Sequence, residues 1–418
     1  MLCYNFHLVK KKLSIALVSS YAFTEDPSGV KDFILGLKFN LAKKGCKVIV
    51  IAPGSKNAQK EGLVDYVLGK DFRVTTDQTE FRIGISRKIT AQRILKETKP
   101  DIIVIHEPFV PAIGHTIISA MSKRPDGRPS SVIVGQFHAR REDLSWGLKA
   151  VEFIGKHIIR RPELRRGFLL SSGYISTINN NLDGRIAVSH GTRRFWQKRY
   201  DAEYRTIYNG INTDELSSTG PKIKSWTYDH KRIILFAGRH DVRKGIDDLI
   251  KAFNILTQSG IDDIRLKITG KGEMTKILQE MVKKLELQKL VEFVGVLPSA
   301  ELVKAYRTAD LVVAPSTGGE GFNRTIAEAR SCGTLVVCTD IEGQKEAIGQ
   351  DLSKFMAKPK NPRSLAKQIK IALSLPNMKK QKIRINSRKE IESRFGWKNI
   401  AQEHLLFYKS LVSKYGAT

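Results

Sequence analysis

A chain of 418 residues is too long for one hydrophobic core and has the length of two domains of ordinary size. Its 41% hydrophobic and 27% charged residues are typical of a globular protein and exclude a disordered or collagen-like chain. The formal net charge of +29 indicates an anionic partner: nucleic acid, an acidic membrane surface or a phosphorylated substrate.

No segment of the sequence predicts membrane insertion or export. The longest apolar runs are broken by His, Glu and Pro before they reach the ~20 residues of a membrane span. The opening segment MLCYNFHLVKKK lacks the apolar region of a secretory signal. The four cysteines, Cys3, Cys46, Cys332 and Cys338, have neither metal-site spacing nor disulfide-rich density. We therefore expect a cytoplasmic protein with free thiols and no metal.

In the first half of the chain, short β-branched runs alternate with segments of helical spacing, which predicts βαβ units and a parallel sheet. Phe33, Leu37 and Leu41 fall on one face of the first predicted helix. Gly45 follows where a C-terminal cap belongs. The predicted strands are LSIALV from Leu13, KVIVIA from Lys47, DIIVIH from Asp101, SVIVGQF from Ser131 and GRIAVS from Gly184.

A polar stretch over residues 211–230 has no periodic apolar pattern and is predicted to be a linker. We therefore divide the chain into an N-terminal domain, residues 1–215 with a C-terminal helix at 396–418 packed back on it, and a C-terminal domain, residues 216–395. Both are predicted to be Rossmann-like α/β domains that bind ligands at the carboxyl ends of their strands. The second series of strands is RIILFAG from Arg232, IRLKITG from Ile264, VEFVG from Val291, LVVAP from Leu311 and TLVVC from Thr334.

The loop after the first strand of the second half is rich in cations. Arg239, Arg243 and Lys244 precede a predicted helix. A cation at a helix N-terminus is unfavourable by roughly 0.3 to 1 kcal/mol, and a bound phosphate would reverse the sign. We interpret this loop as an anion site; the alternative is a set of solvated cations on an ordinary surface loop.

A glycine-containing loop, STGGEGFN, follows the strand LVVAP and precedes another helix. Gly318, Gly319 and Gly321 would let backbone amides approach a ligand closely. Glu320 lies in the loop and Glu328 lies eight residues later in the helix. Carboxylates beside a phosphate site suit sugar hydroxyls. The alternative for Glu328 is an ordinary exposed helical carboxylate.

Two common phosphate-binding fingerprints are absent. Neither opening strand is followed by GxGxxG, and GKGEMT from Gly270 lacks the third glycine, which disfavours a dehydrogenase. The absence of GxxxxGK[ST] disfavours a P-loop phosphotransfer enzyme.

On these motifs the second half resembles the family-four retaining glycosyltransferases of the GT-B fold, in which two Rossmann-like domains face each other across a cleft. Arg239 and Lys244 match the family's Arg-x4-Lys pair, which neutralises the donor diphosphate in relatives. Glu320 and Glu328 match its E-x7-E signature, in which the first Glu meets the donor sugar and the second the ribose. Asn323 departs from the glycine of the usual EGFG.

The resemblance also implies donor contacts from backbone segments. In relatives, amides at the positions of Gly321 and Phe322 contact the sugar, and the chain passes the base at Val296 and Leu297. The donor-binding residues that the resemblance implies are Gly29, Gly238, Val296, Leu297, Gly319, Gly321, Phe322 and Glu328.

The first half resembles the same family, and within it the phosphatidyl-myo-inositol mannosyltransferases, through SYAFTEDPSGVKDF, VIHEPFVPA and GQFHARRE. Ser28 and Gly29 stand where relatives have a glycine pair beside the donor phosphates. His138 matches a histidine near the transferred sugar; the alternative is a structural histidine. Tyr21 and Asp26 lie where the relatives hold the acceptor.

A basic segment, FRIGISRKITAQRILKETK from Phe81, predicts a basic amphipathic helix that lies on anionic lipid through Arg82, Arg87, Lys88 and Arg93. LKAVEFIGKHIIRRPELRR, residues 148–166, is a second candidate. The alternative is that both are Rossmann helices with solvated outer faces.

The resemblance implies a metal-independent, cofactor-free enzyme that moves a hexose with retention, with mannose from GDP-mannose favoured and a UDP-sugar as the other donor. The implied acceptor is a phosphoinositide-like membrane lipid or a glycan, and the implied location is the cytoplasm or the inner face of the plasma membrane. One alternative is a nucleotide-sugar epimerase of the same fold. Another is a nucleic-acid-binding protein, which is disfavoured because the cations are scattered and no aromatic platform accompanies them.

Overall fold

The computed structural model describes residues 12–23, 28–54, 56–75, 80–110, 112–123, 127, 129–139 and 173–415. Two parallel sheets organise them into two Rossmann-like α/β units, which confirms the predicted fold class. The elements of the first unit are β1 (Ser14–Ser19), α1 (Gly29–Lys43), β2 (Lys47–Ala52), α2 (Lys56–Lys60), β3 (Tyr66–Val67), β4 (Lys70–Thr75), β5 (Glu80–Ile85), α3 (Lys88–Thr98), β6 (Ile102–His106), α4 (Ile113–Ala120), β7 (Val132–Phe137), α5 (Gly173–Asn180), β8 (Gly184–Ala187), α6 (His190–Gln197) and β9 (Arg205–Thr206).

The elements of the second unit are β10 (Arg232–Ala237), α7 (Ile246–Gln258), β11 (Ile264–Thr269), α8 (Thr275–Lys284), β12 (Val291–Gly295), α9 (Ser299–Thr308), β13 (Leu311–Ala314), α10 (Arg324–Ser331), β14 (Leu335–Thr339), α11 (Glu342–Ile348), α12 (Gln350–Ser353), β15 (Met356–Ala357), α13 (Pro362–Leu373) and α14 (Asn377–Phe395), and the last helix, α15 (Trp397–Tyr415), follows them along the chain. All ten strands predicted from the sequence are present.

Each sheet changes winding direction beside its first strand. The first sheet has the order β3-β2-β1-β6-β7-β8-β9, and the second has the order β12-β11-β10-β13-β14-β15. Strand β1 pairs in parallel with β2 and β6, and β10 pairs with β11 and β13. In such sheets the crevice opens at the carboxyl ends of the two strands that flank the change. Ligands are therefore expected after β1 and β6 in one unit and after β10 and β13 in the other.

Helix α1 buries the face that the sequence predicts. Phe33, Leu37 and Leu41 are buried against the first sheet, and Gly45 follows the helix with a φ of 85°, which favours glycine. The last helix, α15, packs on α1, so the predicted return of the C-terminal helix to the N-terminal unit is confirmed. A Cβ on Gly36 would lie 2.3 Å from the ring of Trp397, so glycine is needed where these helices meet.

The structure contradicts one helix prediction. Residues from Phe81 to Ile85 belong to strand β5, which pairs antiparallel with β4, and α3 begins only at Lys88. The sequence FRIGI alternates with a period of two, and Gly84 lies where a Cβ would meet Pro53 at 1.9 Å. The second basic segment, residues 148–166, lies outside the described residues. Asp26 and Cys3 also lie outside them.

The predicted linker runs along the C-terminal unit. Arg307 donates hydrogen bonds to the carbonyls of Glu215 and Ser217, and Trp226 is buried in the core of that unit. The domain boundary after residue 215 stays a prediction. In the ranges given above, no helix combines the length and the apolar character that a membrane span needs.

Candidate active site

The two motif loops of the C-terminal unit lie against each other at the carboxyl edge of its sheet. The first loop leaves β10, forms a single 3-10 turn over Val242–Lys244, and enters α7 through Gly245. Gly245 has a φ of 63°, and a Cβ there would lie 2.2 Å from the carbonyl oxygen of Pro315 in the second loop. The backbone N–H of Thr317 donates to the carbonyl of Arg243 at 2.7 Å. These contacts fix the cations of one loop beside the carboxylate of the other.

Each predicted cation of the first loop already faces a carboxylate. Lys244 Nζ lies 2.6 Å from Glu320 Oε1. Arg243 and Arg239 approach the buried Asp241 Oδ2 at 3.3 and 3.8 Å. The loop therefore gathers positive charge as the sequence predicts, and Asp241 and Glu320 offset two of its three positive charges.

Glu320 is held as a carboxylate. Burial raises its pKa, but the adjacent Lys244, then Arg243 and the hydroxyl of Ser316 at 3.0 Å, outweigh burial and leave the pKa below the ordinary value. Glu320 is consequently an acceptor of hydrogen bonds at neutral pH and has no proton to give. Such a group suits sugar hydroxyls.

The N-terminus of α7 needs no bound anion to complement its dipole, contrary to what the sequence suggested. Asp247 and Asp248 occupy the first turn of α7 and complement its positive end. Arg243 and Lys244 lie in the preceding turn and point to Asp241 and Glu320. The side chains of Arg243 and Lys244, and not the end of the helix, therefore form the candidate anion site.

The glycine loop also contacts the N-terminal unit. A Cβ on Gly321 would lie 1.9 Å from the carbonyl oxygen of His138, so only glycine permits this approach between the units. The carbonyl of Gly321 accepts a hydrogen bond from Ser189 Oγ at 2.7 Å. His138 and Glu320, predicted from separate halves of the chain, thus lie at neighbouring positions of one cleft.

Two positions beside Gly321 differ in what they offer to a ligand. Phe322 is buried, and its ring packs against Phe395 and Tyr208, so its backbone amide is the group left for a donor. Asn323 has a φ of −83° and donates its N–H to Gly343 at 3.0 Å. Because this φ is open to any residue, the replacement of the family's glycine by Asn323 causes no backbone strain.

Glu328 is not the exposed helical carboxylate of the alternative interpretation. The hydroxyl of Tyr306 donates to its Oε2 at 3.0 Å, and Arg324 approaches its Oε1 at 3.1 Å. Sequence reasoning missed Arg324, which also reaches Asp32 and Gly29 in α1 of the other unit. A cation at the first position of α10 was the available signal, because such a charge opposes the helix dipole.

His138 is held by two residues that the sequence did not single out. Its Nε2 lies 2.9 Å from Nδ1 of the buried His106. Oε1 of Glu107, a residue with a φ of 56°, accepts the backbone N–H groups of His138 and Ala139. Burial, and then the charge of Arg324, lower the pKa of His138 to about 3. His138 is therefore neutral and can hydrogen-bond a sugar or phosphate without carrying charge.

The remaining predicted positions lie around the same edges. Val296 is exposed and Leu297 partly buried after β12, and Gly238 directly follows β10, where its N–H donates to the carbonyl of Thr269. Gly29 begins α1, and the Ser28 side chain caps this helix by accepting from Lys31 N–H at 3.5 Å, so the serine replaces one glycine with a helix cap. Gly319 has a φ of 70°. Tyr21 follows β1 and forms a β-bridge with Ile83.

The predicted lipid-binding residues do not form one helix. Arg82 lies in β5 and pairs with Asp71. Arg87, Lys88 and Arg93 are exposed along α3, and Ile89 among them is 68% exposed. Among the predicted lipid-binding residues, the exposed cations are therefore those of α3 and the residue before it.

Comparison with known proteins gives consistent matches. The family model described as Glycosyltransferase Family 4 matches residues 27–215, and the model described as Glycosyl transferases group 1 matches residues 222–390. The chain is 32% identical to an uncharacterized glycosyltransferase of Methanocaldococcus jannaschii over 51% of this chain and 55% of that protein. It is 26% identical to a phosphatidyl-myo-inositol mannosyltransferase of Mycobacterium leprae over 58% of this chain and 63% of that protein.

These matches span little more than half the length of either relative. Among solved structures, Anabaena HepE in complex with UDP superposes with a TM-score of 0.70 at 18% identity, and the match covers 95% of this chain and all of that one. At this identity the likeness shows the shared fold of two facing Rossmann-like units.

Proposed function

The chain belongs to the family-four glycosyltransferases of the GT-B fold, and we propose on this premise that it moves a hexose from a nucleotide-sugar donor to an acceptor. One observation carries the proposal: Lys244 and Glu320 of one unit meet at the cleft wall, and Gly321 of the same loop contacts His138 of the other unit. A sugar diphosphate would need these three groups: a cation for the diphosphate, and a carboxylate and a neutral imidazole for the sugar.

The donor diphosphate gains negative charge as its bond to the sugar breaks, and Arg239 and Lys244 would stabilise that charge. Lys244 has three N–H donors, and we expect it to turn from Glu320 towards the phosphate when the donor binds. The freed carboxylate of Glu320 then becomes available to the sugar hydroxyls. This exchange lets one ion pair serve both ends of the donor, and the two cations supply the stabilisation that a metal ion provides elsewhere, so we expect metal-independent transfer.

His138 acts in this proposal as a neutral hydrogen-bond partner of the transferred sugar. Its pKa near 3 rules out a protonated imidazolium at neutral pH. The resemblance to retaining enzymes leads us to expect retention at the anomeric carbon, and we assign no covalent nucleophile.

For the donor sugar we favour mannose from GDP-mannose, with a UDP-sugar as the second candidate. The relatives named phosphatidyl-myo-inositol mannosyltransferase support mannose and a phosphoinositide-like lipid acceptor. The UDP complex of a protein with the same fold supports testing UDP-sugars beside it. Tyr21 and Asp26 are our proposed acceptor residues.

The test uses labelled GDP-mannose and UDP-glucose with vesicles that contain phosphatidylinositol, with EDTA present. We expect label in the lipid fraction and its loss in Glu320→Gln. Lys251→Ala is the matched control, because Lys251 forms an ion pair on the exposed side of α7. No transfer from a panel of donors and acceptors, or full transfer by Glu320→Gln, contradicts the proposal; a new nucleotide sugar formed without acceptor would indicate an epimerase.

We also propose that α3 rests on the anionic inner face of the plasma membrane. Arg87 and Lys88 directly precede the exposed Ile89, a pattern that suits the lipid interface. Vesicles of anionic lipid should sediment the protein, neutral vesicles should not, and salt should weaken binding. Reversing Arg87 and Lys88 to Glu should abolish sedimentation, whereas Lys389→Glu, on the exposed face of α14, should not. Equal sedimentation with neutral vesicles would remove the membrane proposal.

A further inference from the structure

Arg324 is the first residue of α10, and its side chain joins the two units. One terminal nitrogen, Nη1, lies 3.1 Å from Asp32 Oδ2 and 3.3 Å from the carbonyl oxygen of Gly29. The other terminal nitrogen, Nη2, lies 3.1 Å from Glu328 Oε1. The Nε–H is buried without a hydrogen-bond partner in the part of the chain that the structure describes. Arg324 therefore has a donor still to satisfy.

The neighbours of Arg324 are residues assigned to three different parts of the donor. Gly29 is assigned to the phosphates and Glu328 to the ribose. His138 is assigned to the sugar, and the positive charge of Arg324 is close enough to help lower its pKa. In a nucleotide sugar the diphosphate links the ribose to the sugar. A cation within reach of all three positions lies where that diphosphate would run.

We propose that Arg324 is a third cation for the donor diphosphate, beside Arg239 and Lys244, and that the donor displaces Asp32 from it. This inference rests on the proposed function. A guanidinium offers five N–H donors in a planar fork that matches phosphate oxygens, and Asp32 and Glu328 engage only part of the fork. A cation at the first position of a helix is mildly unfavourable, and an anionic partner offsets that cost. Asp32 and Glu328 supply it without the donor, and the diphosphate supplies it when the donor is bound.

A purely structural role predicts a different result. If Arg324 only braced the two units, Arg324→Ala and Asp32→Asn would remove the same contact and would change nucleotide binding in the same direction. If Arg324 binds the diphosphate, only Arg324→Ala weakens nucleotide binding, and Asp32→Asn leaves it unchanged or strengthens it. Arg324→Ala removes a phosphate ligand, whereas Asp32→Asn removes the anion that competes with phosphate.

Calorimetry with the nucleoside diphosphate that the wild type binds, GDP or UDP, and with its monophosphate, separates these roles. We expect Arg324→Ala to lose about tenfold or more in diphosphate affinity, the scale of one charge-assisted hydrogen bond, and to lose much less for the monophosphate. Arg324→Lys should fall between, because a point charge lacks the fork. Asp32→Asn should bind the diphosphate as tightly as the wild type or more tightly.

Arg194→Ala is the matched control, because Arg194 forms a largely exposed ion pair with Glu342 across the two units. It should leave diphosphate affinity unchanged. Unliganded melting curves identify any variant that fails to fold, and Arg324→Lys then carries the test. Equal diphosphate affinity in the wild type and the Arg324 variants, or parallel losses in Arg324→Ala and Asp32→Asn, overturns the inference. A wild type that binds no nucleoside diphosphate defeats the proposed function instead.

Discussion

Replacing Lys244 by Met tests the exchange of Lys244 between Glu320 and the donor. The substitution keeps most of the aliphatic volume and removes the ammonium that lies 2.6 Å from Glu320. It leaves a carboxylate that is only 11% exposed without its main counter-ion. We expect a roughly 100-fold lower kcat, because one preorganised charge at the leaving group contributes about that much.

The stability cost follows from the burial of the pair. Removing one partner of a fully buried ion pair costs about 3 to 5 kcal/mol. Here Lys244 is 22% exposed, and Arg243 and Ser316 still face Glu320, so we expect about 2 kcal/mol. The double variant Lys244→Met, Glu320→Gln should recover most of this loss, because no uncompensated charge remains, while transfer stays absent.

The stability lost in Lys244→Met should depend on pH, and the direction of this dependence follows from the pKa of Glu320. In the wild type the pKa of Glu320 is lowered by folding, so its contribution to stability is present above the unfolded pKa and is lost as the pH falls through the folded pKa. Without Lys244, burial is opposed by fewer charges and should raise this pKa, which reverses the sign. The Lys244→Met variant should therefore be destabilised most at neutral pH and should approach the wild type as the pH falls through the wild-type pKa of Glu320. Melting curves across this range measure it, and a pH-independent loss, or none, would refute the reasoning.

Two further substitutions test the contact between the units. Gly321→Ala should destabilise the protein by about 1 to 3 kcal/mol and impair transfer, because the new methyl would collide with the carbonyl of His138. Gly318→Ala, with open space around it, should leave the stability unchanged, and equal melting temperatures for the two variants would contradict the close approach. The pKa of Tyr208 is raised to about 12, first by burial and then by Glu346, which accepts its hydroxyl at 2.9 Å. Glu346→Ala should lower that pKa in a phenolate absorbance titration, and an unchanged titration would show that Glu346 does not face Tyr208 in solution.

The strands and the first helix could be predicted because their residues are buried in a regular period. KVIVIA and VEFVG form strands with the predicted bounds, and the apolar face of α1 is the buried one. The β4–β5 ribbon was missed because the cationic residues Arg82 and Arg87 suggested one basic helix, although FRIGI has the period of two that is typical of a strand.

The positions of the charged motifs could be read from their spacing, but their partners could not. Lys244 and Glu320 are 76 residues apart, and only the contact between their loops makes them a pair. Arg324 was overlooked because its partners Asp32 and Gly29 belong to the other half of the chain. Glu107 owes its position to a left-handed backbone that no local sequence rule predicts for glutamate. Which residues pair across a cleft depends on the tertiary structure, so such pairs cannot be predicted from one sequence segment at a time.

Hydrogen exchange of the wild-type protein, measured with and without a bound nucleotide sugar, reports where the donor lies. We expect slower exchange in residues 239–245 and 316–324 of the C-terminal unit, together with residues 28–32 at the start of α1. Binding that slows exchange elsewhere and leaves these three segments unchanged would contradict it.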